Sequence, residues 1–435
     1  MDPSNSPAPA ASRADTVAQT APPVPPVPTA WLGRDFSLFW VARVASELAV
    51  KAESVAIGWQ VYTVARRSHG VEQSTFLVGM IGLVQFVPLF VLALFAGALA
   101  DRAERRRIVV VTLSVEVVCA CLLMWLAMRP VVEWAALYGV AAVFGASRAF
   151  LSPAMGAMAP MLVPRHRIPQ AVSWSSLGDQ MSSIVGPWIG GALCAIAVSY
   201  AYAGAALLYA FATLSIVAVR TSTRPPASSR SHLELIREGL VYIRTHRVIA
   251  GALSLDLFAV LLGGATALLP VFASDILRIG AHGFGVLRSG PAIGAAVMAV
   301  ILVRAPVHRH AGRWMFAGVA VFGAATLVFA ASRSIWISLG SLVVLGAADM
   351  VSVYVRQSLV QVMTPDAMRG RVSAVAGLFI GASAELGEFE TGVTARILGP
   401  VGAAVLGGLG SLAVTGVWAW RYPELRNADR LDEGG

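Results

Sequence analysis

Twelve long apolar runs follow one another through this chain, each broken by a short polar or arginine-bearing loop, and nothing else limits its fold so strongly. They lie near 36–64, 74–100, 107–128, 133–160, 170–195 and 200–219, then near 248–273, 283–303, 313–332, 335–362, 373–396 and 400–420. A helix of about 20 residues matches the hydrocarbon core of a bilayer. Only 13% of the residues are charged, against about 25% in a soluble domain, and the mean hydropathy is +0.71. One aqueous core cannot hide that much apolar surface. Lipid is therefore the solvent for most of the chain, and in lipid a backbone must satisfy its own hydrogen bonds, as a helix does. The expected fold class is an all-α membrane protein with twelve transmembrane helices in two pseudo-symmetric six-helix bundles.

The polar stretches divide the chain. Residues 1–33, rich in Pro, Ala and Ser and without the apolar core of a signal peptide, read as a disordered cytosolic tail. Residues 34–220 form the first bundle and 248–421 the second. Between them, 221–247 is a linker in which Leu233, Ile236, Leu240 and Ile243 recur at helical spacing, as in an amphipathic surface helix. Residues 422–435 read as a C-terminal cytosolic tail.

A net charge of +9 and a pI near 10.1 raise the question of nucleic acid. The arginines, however, sit between apolar runs with few aromatic residues among them, a distribution that the positive-inside rule explains and a nucleic-acid footprint does not. Loops on one side carry Arg102, Arg105, Arg106, Arg107, Arg165, Arg167, Arg220, Arg224, Arg304, Arg309, Arg369 and Arg371, besides the linker arginines. The other side keeps Arg66, Arg67, Arg129, Arg278, Arg288, Arg333 and Arg396. The arginine-rich side is the cytoplasm, which places both termini inside. Of the 33 basic residues only Lys51 is a lysine, and it falls within the first run. Cys119, Cys121 and Cys194 are too few and scattered for a disulfide framework or metal cage. With no P-loop, no nucleophile elbow and no metal-ligand spacing, neither an enzyme, an ATP-driven pump, a metal site nor a cofactor is expected.

The two halves rhyme. Pro164-Arg165-His166-Arg167 leads to Ala171-Val172-Ser173 before the fifth run, and Pro365-Asp366-Ala367-Met368-Arg369 leads to Arg371-Val372-Ser373 before the eleventh. Three motifs add to this repeat. The loop Gly97-Ala98-Leu99-Ala100-Asp101-Arg102-Ala103-Glu104-Arg105-Arg106-Arg107 resembles the G-x-x-x-D-R-x-G-R-[RK] signature of the major facilitator superfamily, with Glu104 in place of the second glycine. Gly186-Pro187-Trp188-Ile189-Gly190-Gly191 matches a G-P-x-x-G-G element found in that family's antiporters and exporters. Asp349-Met350-Val351-Ser352, followed by Arg356-Gln357 and by Arg369-Gly370-Arg371, is similar to the branch holding enterobactin-type siderophore exporters and multidrug efflux proteins. The resemblance covers about residues 34–425. It implies the major facilitator fold, with Gly97, Asp101, Arg102, Arg105, Arg106, Gly186, Pro187, Gly190, Gly191, Arg369, Gly370 and Arg371 serving conformational change.

Ionisable groups at bilayer depth cost about 2.5–3.5 kcal/mol each even on the insertion scale, so those present need a reason. Arg43, Glu47 and Lys51 follow at four-residue spacing on one helical face, with Glu53 turned elsewhere. They are either a self-neutralising ladder or the wall of a central cavity. Family resemblance makes the first, fourth, seventh and tenth spans line that cavity, so Arg148 is expected to face Glu47. Asp256 and Arg356 fall at similar depth, either as a pair or as separate cavity groups, and Asp349 lies seven residues before Arg356. Glu385 and Glu388 share a face, and Glu390 points elsewhere. A carboxylate shielded from water can alternate between holding a proton and holding a charge partner. Glu47, Asp256, Asp349 and Glu385 are the candidates for that role, in no fixed order, ahead of Glu116 and Asp179. The expected activity is secondary export of drug- or siderophore-like small molecules across a bacterial inner membrane by proton-coupled alternating access. Uptake or lipid transport on the same fold, and a non-transporting sensor, are the alternatives. The expected partners are a small-molecule substrate, protons and lipid, with a monomer as the working unit.

Overall fold

The computed structural model describes residues 33–100, 103–130, 134–224, 232–307 and 309–428. The first lobe comprises α1 (Arg34–Ala65), α2 (Val71–Ala100), α3 (Arg105–Ala127), α4 (Trp134–Met158), α5 (Ile168–Ile196) and α6 (Val198–Val217). The connecting helix α7 (His232–Thr245) follows. The second lobe opens with α8 (Arg247–Leu262), which resumes after a break as Ala265–Leu268, α9 (Leu269–Val271) and the π-turn Phe272–Ile276. It continues with α10 (Gly280–Arg304), α11 (Ala311–Ala331), α12 (Ile335–Met363) and α13 (Asp366–Arg421).

Among the described residues, nine helical stretches are long and apolar enough to cross a membrane. The helices α1 and α5 are as long, but their charged and polar residues dilute the apolar signal. The long α13 holds two crossings: Gly399 at φ 74°, followed by Pro400, breaks it into arms 366–398 and 400–421. That inventory accommodates the twelve crossings expected. Large side chains such as Phe95, Leu207, Leu214, Ile397 and Trp420 stand exposed on the outer faces, an arrangement untenable in water and natural against lipid tails.

Where the apolar cores lie shows how the lobes meet. One cluster confined to the first lobe includes Phe39, Leu113, Met158 and Ile216; one confined to the second includes Leu255, Met315, Val355 and Leu425. Both occupy the half of the molecule near the termini. In the remote half one cluster of the described residues crosses between lobes, joining Val61, Tyr62 and Leu123 to Leu268, Phe272, Phe284 and Phe329. The lobes are thus sealed together at one end and hold separate cores at the other.

Around the ends, α7 lays Ile243 against Leu253, Val360 and Val375 of the second lobe, and the Tyr242 hydroxyl donates to the Met363 carbonyl at 2.9 Å. Arg371 pairs with Glu238 of α7, while Gly370 is exposed in open space. Arg369 is half-buried at the start of α13. The stretch from 422, expected as a tail, instead begins with α14 (Pro423–Arg426): Leu425 is fully buried and Arg247 holds Glu424 at 2.8 Å. In the signature loop, Gly97 is buried at the end of α2. Arg105 donates to the Ala157 carbonyl at 3.0 Å, and Arg106 reaches Thr223 Oγ1 at 3.0 Å and the Val217 carbonyl at 2.5 Å. These arginines staple α3 to α4 and to the end of α6 within their own lobe. Asp101 and Arg102 lie outside the described residues, as do most of the N-terminal tail and residues 225–231 of the linker.

Candidate functional site

Midway through the bundle a cavity of about 260 Å³ lies between the lobes, lined by Lys51, Ser54, Ile57, Gln85, Phe144, Arg148, Pro187, Thr266, Phe284, Arg288, Glu385 and Glu388, among others. It is built where backbones come unusually close. A Cβ on Gly82 would meet the Glu385 carbonyl at 2.6 Å, one on Gly79 would meet Gly392 Cα at 2.7 Å, and one on Gly191 would meet Gly285 Cα at 2.7 Å. Two seams, α2 against the first arm of α13 and α5 against α10, therefore close the remote end over the cavity. The glycines of the Gly186-Pro187-Trp188-Ile189-Gly190-Gly191 element serve two neighbours. Gly186 and Gly190 admit α1, where added Cβ atoms would meet Lys51 Cβ and the Ala52 carbonyl, each at 2.6 Å, while Gly191 faces the other lobe.

The charged face of α1 is divided among partners. Arg43 donates twice to Asp179 of α5, both at 2.8 Å. Glu47, one turn on, is half-buried and makes no hydrogen bond or ion pair among the described residues, and the same holds for Lys51. Arg148 was expected to face Glu47; its guanidinium instead donates to Glu385 Oε1 at 3.2 Å, across the gap between lobes. Spacing along one helix cannot reveal such a partner, because the two residues meet only once the lobes are assembled.

In the second lobe Asp256 and Arg356 pair at 3.5 Å, both buried, with Ser352 donating to the same carboxylate at 3.5 Å. Asp349 lines a small cleft with Asp256 and Ser352, so two carboxylates and one guanidinium sit together inside this lobe.

Three features escaped the sequence. Arg288, assigned to an external loop, lies within α10 on the cavity wall; it donates to the Thr266 carbonyl at 3.2 Å and to Glu388 at 3.3 Å. The seventh span is broken at Gly263-Gly264, where a Cβ on Gly264 would meet Thr391 Oγ1 at 2.7 Å. Unwound backbone at mid-membrane is tolerated only where it lines a cavity or is packed by protein, and it marks transporter binding sites. The Gly-Gly pair was the available signal. Third, Asp275 accepts from the Tyr62 hydroxyl at 2.5 Å and from Arg66 at 3.0 Å, tying the lobes at the sealed end.

Away from the cavity, Glu53 and Glu116 are fully buried within the first lobe. Glu53 accepts from the Tyr209 hydroxyl at 2.9 Å, and both carboxylate oxygens of Glu116 are without a hydrogen-bond partner. An unsatisfied buried polar group costs about 1–3 kcal/mol. Glu116→Leu is therefore expected to raise the thermal unfolding midpoint in detergent. A drop would show that this carboxyl group stabilises the lobe.

Similarity to known proteins agrees with this architecture. A family model described as transmembrane secretion effector matches residues 29–433. The enterobactin exporter EntS of Shigella boydii serotype 4 is 26% identical over 390 residues, covering 87% of this chain and 85% of its own. Its counterpart in Escherichia coli strain SMS-3-5 matches to the same extent. Among solved structures, a POT family transporter in complex with 5-aminolevulinic acid aligns with a TM-score of 0.70 at 11% identity, over 90% of this chain and 96% of that one. A D-xylose-proton symporter aligns with a TM-score of 0.66 at 16% identity, over 91% and 99%. At such identities the structural likeness speaks for the fold alone.

Proposed function

This chain belongs to the transmembrane secretion effector family of major facilitator transporters, and from that premise we propose that it exports siderophore- or drug-like small molecules across a bacterial inner membrane in exchange for protons. The observation that carries the reading is the Arg148–Glu385 pair, an ion pair between the two lobes on the wall of the mid-membrane cavity. With both termini in the cytoplasm, as the loop arginines favour, the sealed end faces outward and the described state is open toward the cell interior. Cargo enters from the cytoplasm. When the lobes rock, the outer seams part and the Arg148–Glu385 contact is pulled open, so that Glu385 takes a proton from outside. On return, Arg148 re-forms its pair with Glu385 and the proton leaves inward. Each charge crossing the membrane adds about 2.3 kcal/mol per 100 mV to the driving force. The Asp256–Arg356–Asp349 group in the second lobe is the other proposed proton-handling set. The similarity to enterobactin exporters supports a siderophore-like cargo and the outward direction.

Inverted membrane vesicles energised with a pH gradient test this. Dyes, antibiotics and siderophores should accumulate inside them when the wild-type protein is present. Glu385→Gln should lose uphill accumulation while keeping downhill exchange, because a permanently neutral side chain cannot alternate between a proton and Arg148. Uphill pumping by the variant at the wild-type rate would remove Glu385 from the coupling role. Movement in the opposite sense would replace export by uptake.

A further inference from the structure

Among the described residues, the wall of the central cavity carries three basic side chains and two carboxylates. Arg148 is held by Glu385 and Arg288 by Glu388, at 3.2 and 3.3 Å. The third cation, Lys51, has no hydrogen bond or ion pair among the described residues. The charges around it are Glu47 one turn away on α1, Arg148 on α4, Asp179 on α5 and Arg288 on α10. Asp179 is engaged by Arg43, and Glu47 is not part of the cavity wall. Gly186 presses on the stem of Lys51, its hypothetical Cβ 3.4 Å from Lys51 Cγ, which leaves the ammonium little room except toward the cavity.

An ammonium in that setting has no carboxylate in ion-pair contact, as Arg148 and Arg288 beside it have. We propose that Lys51 seats the negatively charged group of an aromatic organic anion, with Arg148 and Arg288 keeping their carboxylate partners. The remaining walls suit the ring: Ile57, Phe144, Phe284, Pro187 and Pro270 are apolar. Small-molecule cavities run to about 300–1,000 Å³, so about 260 Å³ admits a single-ring body in this state. A lysine meets such an anion as a compact point charge, without the planar fork of the arginines beside it. This proposal rests on the reading of the cavity as the substrate site and narrows it to a charge class.

The chain itself provides the probe, since Lys51 is its only lysine. Protein made with lysine labelled at 13Cε carries one signal, and that signal is the cavity ammonium. Salicylate and its neutral twin salicylamide differ in charge at nearly constant shape. Salicylate is expected to shift the Lys51 signal and to bind about tenfold or more tightly than salicylamide. In Lys51→Gln the preference should vanish, and Lys51→Arg should keep part of it. Equal affinity for the two compounds, no binding of either, or a preference retained by Lys51→Gln would overturn the proposal. Vesicle transport separates this from the wider function. If both compounds are pumped alike by wild type and Lys51→Gln, the cavity still exports and the anion seat falls. If wild type pumps nothing while salicylate still shifts the Lys51 signal, the anion seat stands and the export reading falls.

Discussion

Gly285→Val is expected to stop transport by holding the molecule in the opposite conformation, with its fold intact. In the described state a Cβ at Gly285 would collide with the Pro187 carbonyl and come within 2.8 Å of Gly191 Cα and 3.1 Å of Gly191 N. These are backbone atoms on the other lobe, so no side chain can swing aside, and valine adds two further methyl groups. Overpacking costs about 1–3 kcal/mol where side chains can adjust, and backbone that cannot yield raises the figure. A penalty near 3 kcal/mol changes a two-state ratio by about 150-fold. Only the state in which α5 and α10 touch at the sealed end bears that penalty; once the seam opens, the new side chain has room. Spin labels at Ser68→Cys and His282→Cys, one on each lobe near the sealed end and placed after the native cysteines are removed, should lie farther apart in the Gly285→Val background. Gly340→Val is the control, since a Cβ there meets nothing within 4 Å. An unchanged label distance together with normal transport would show that this seam does not part during the cycle.

The contrast between those two glycines shows what the sequence could and could not reveal. Run length and the arginine-bearing loops locate the helices because both follow from solvent: lipid selects about 20 apolar residues, and the charge bias of the loops needs no tertiary contact. The Gly186–Gly191 element likewise stood out as a place for close packing. Nothing local distinguishes Gly285, which seals two lobes, from Gly340, which faces outward, since the difference lies in what another helix brings to each. The charged residues follow the same logic. Arg43, Glu47 and Lys51 were legible as one face of α1 because helical spacing is a local property. Their partners were not: Arg43 takes Asp179, ranked among the weaker acids, and Arg148 reaches Glu385 across the cavity. Arg288 falls in the first turns of the 283–303 run yet was counted with the outer-side arginines, because the partners that hold it on the cavity wall, Thr266 and Glu388, come from other elements.

Removing the guanidinium of Arg356 is expected to be the most destabilising single change in the second lobe. Arg356 and Asp256 are only 3% and 4% exposed, and Asp349 lines the same small cleft. In Arg356→Met the volume is nearly kept, but two carboxylates are left in a site where, among the described residues, no other cation pairs with them. Breaking a buried pair from one side costs about 3–5 kcal/mol, because the surviving charge has lost both water and partner. Asp256→Asn should cost less, since Arg356 then has Asp349 close by and the amide still accepts from Ser352. The double variant Asp256→Asn/Arg356→Met removes both halves and should recover much of the loss, in keeping with the near-neutral exchange of buried pairs for uncharged groups. Thermal unfolding in detergent should thus rank the variants with Arg356→Met lowest, and a midpoint equal to wild type would show that the pair contributes nothing to folding. The double variant then separates the two roles of these residues. If it is stable yet exports only downhill, the charges are retained for coupling at a cost in stability; if it pumps uphill normally, coupling rests with Glu385 and Arg148 at the interface between the lobes.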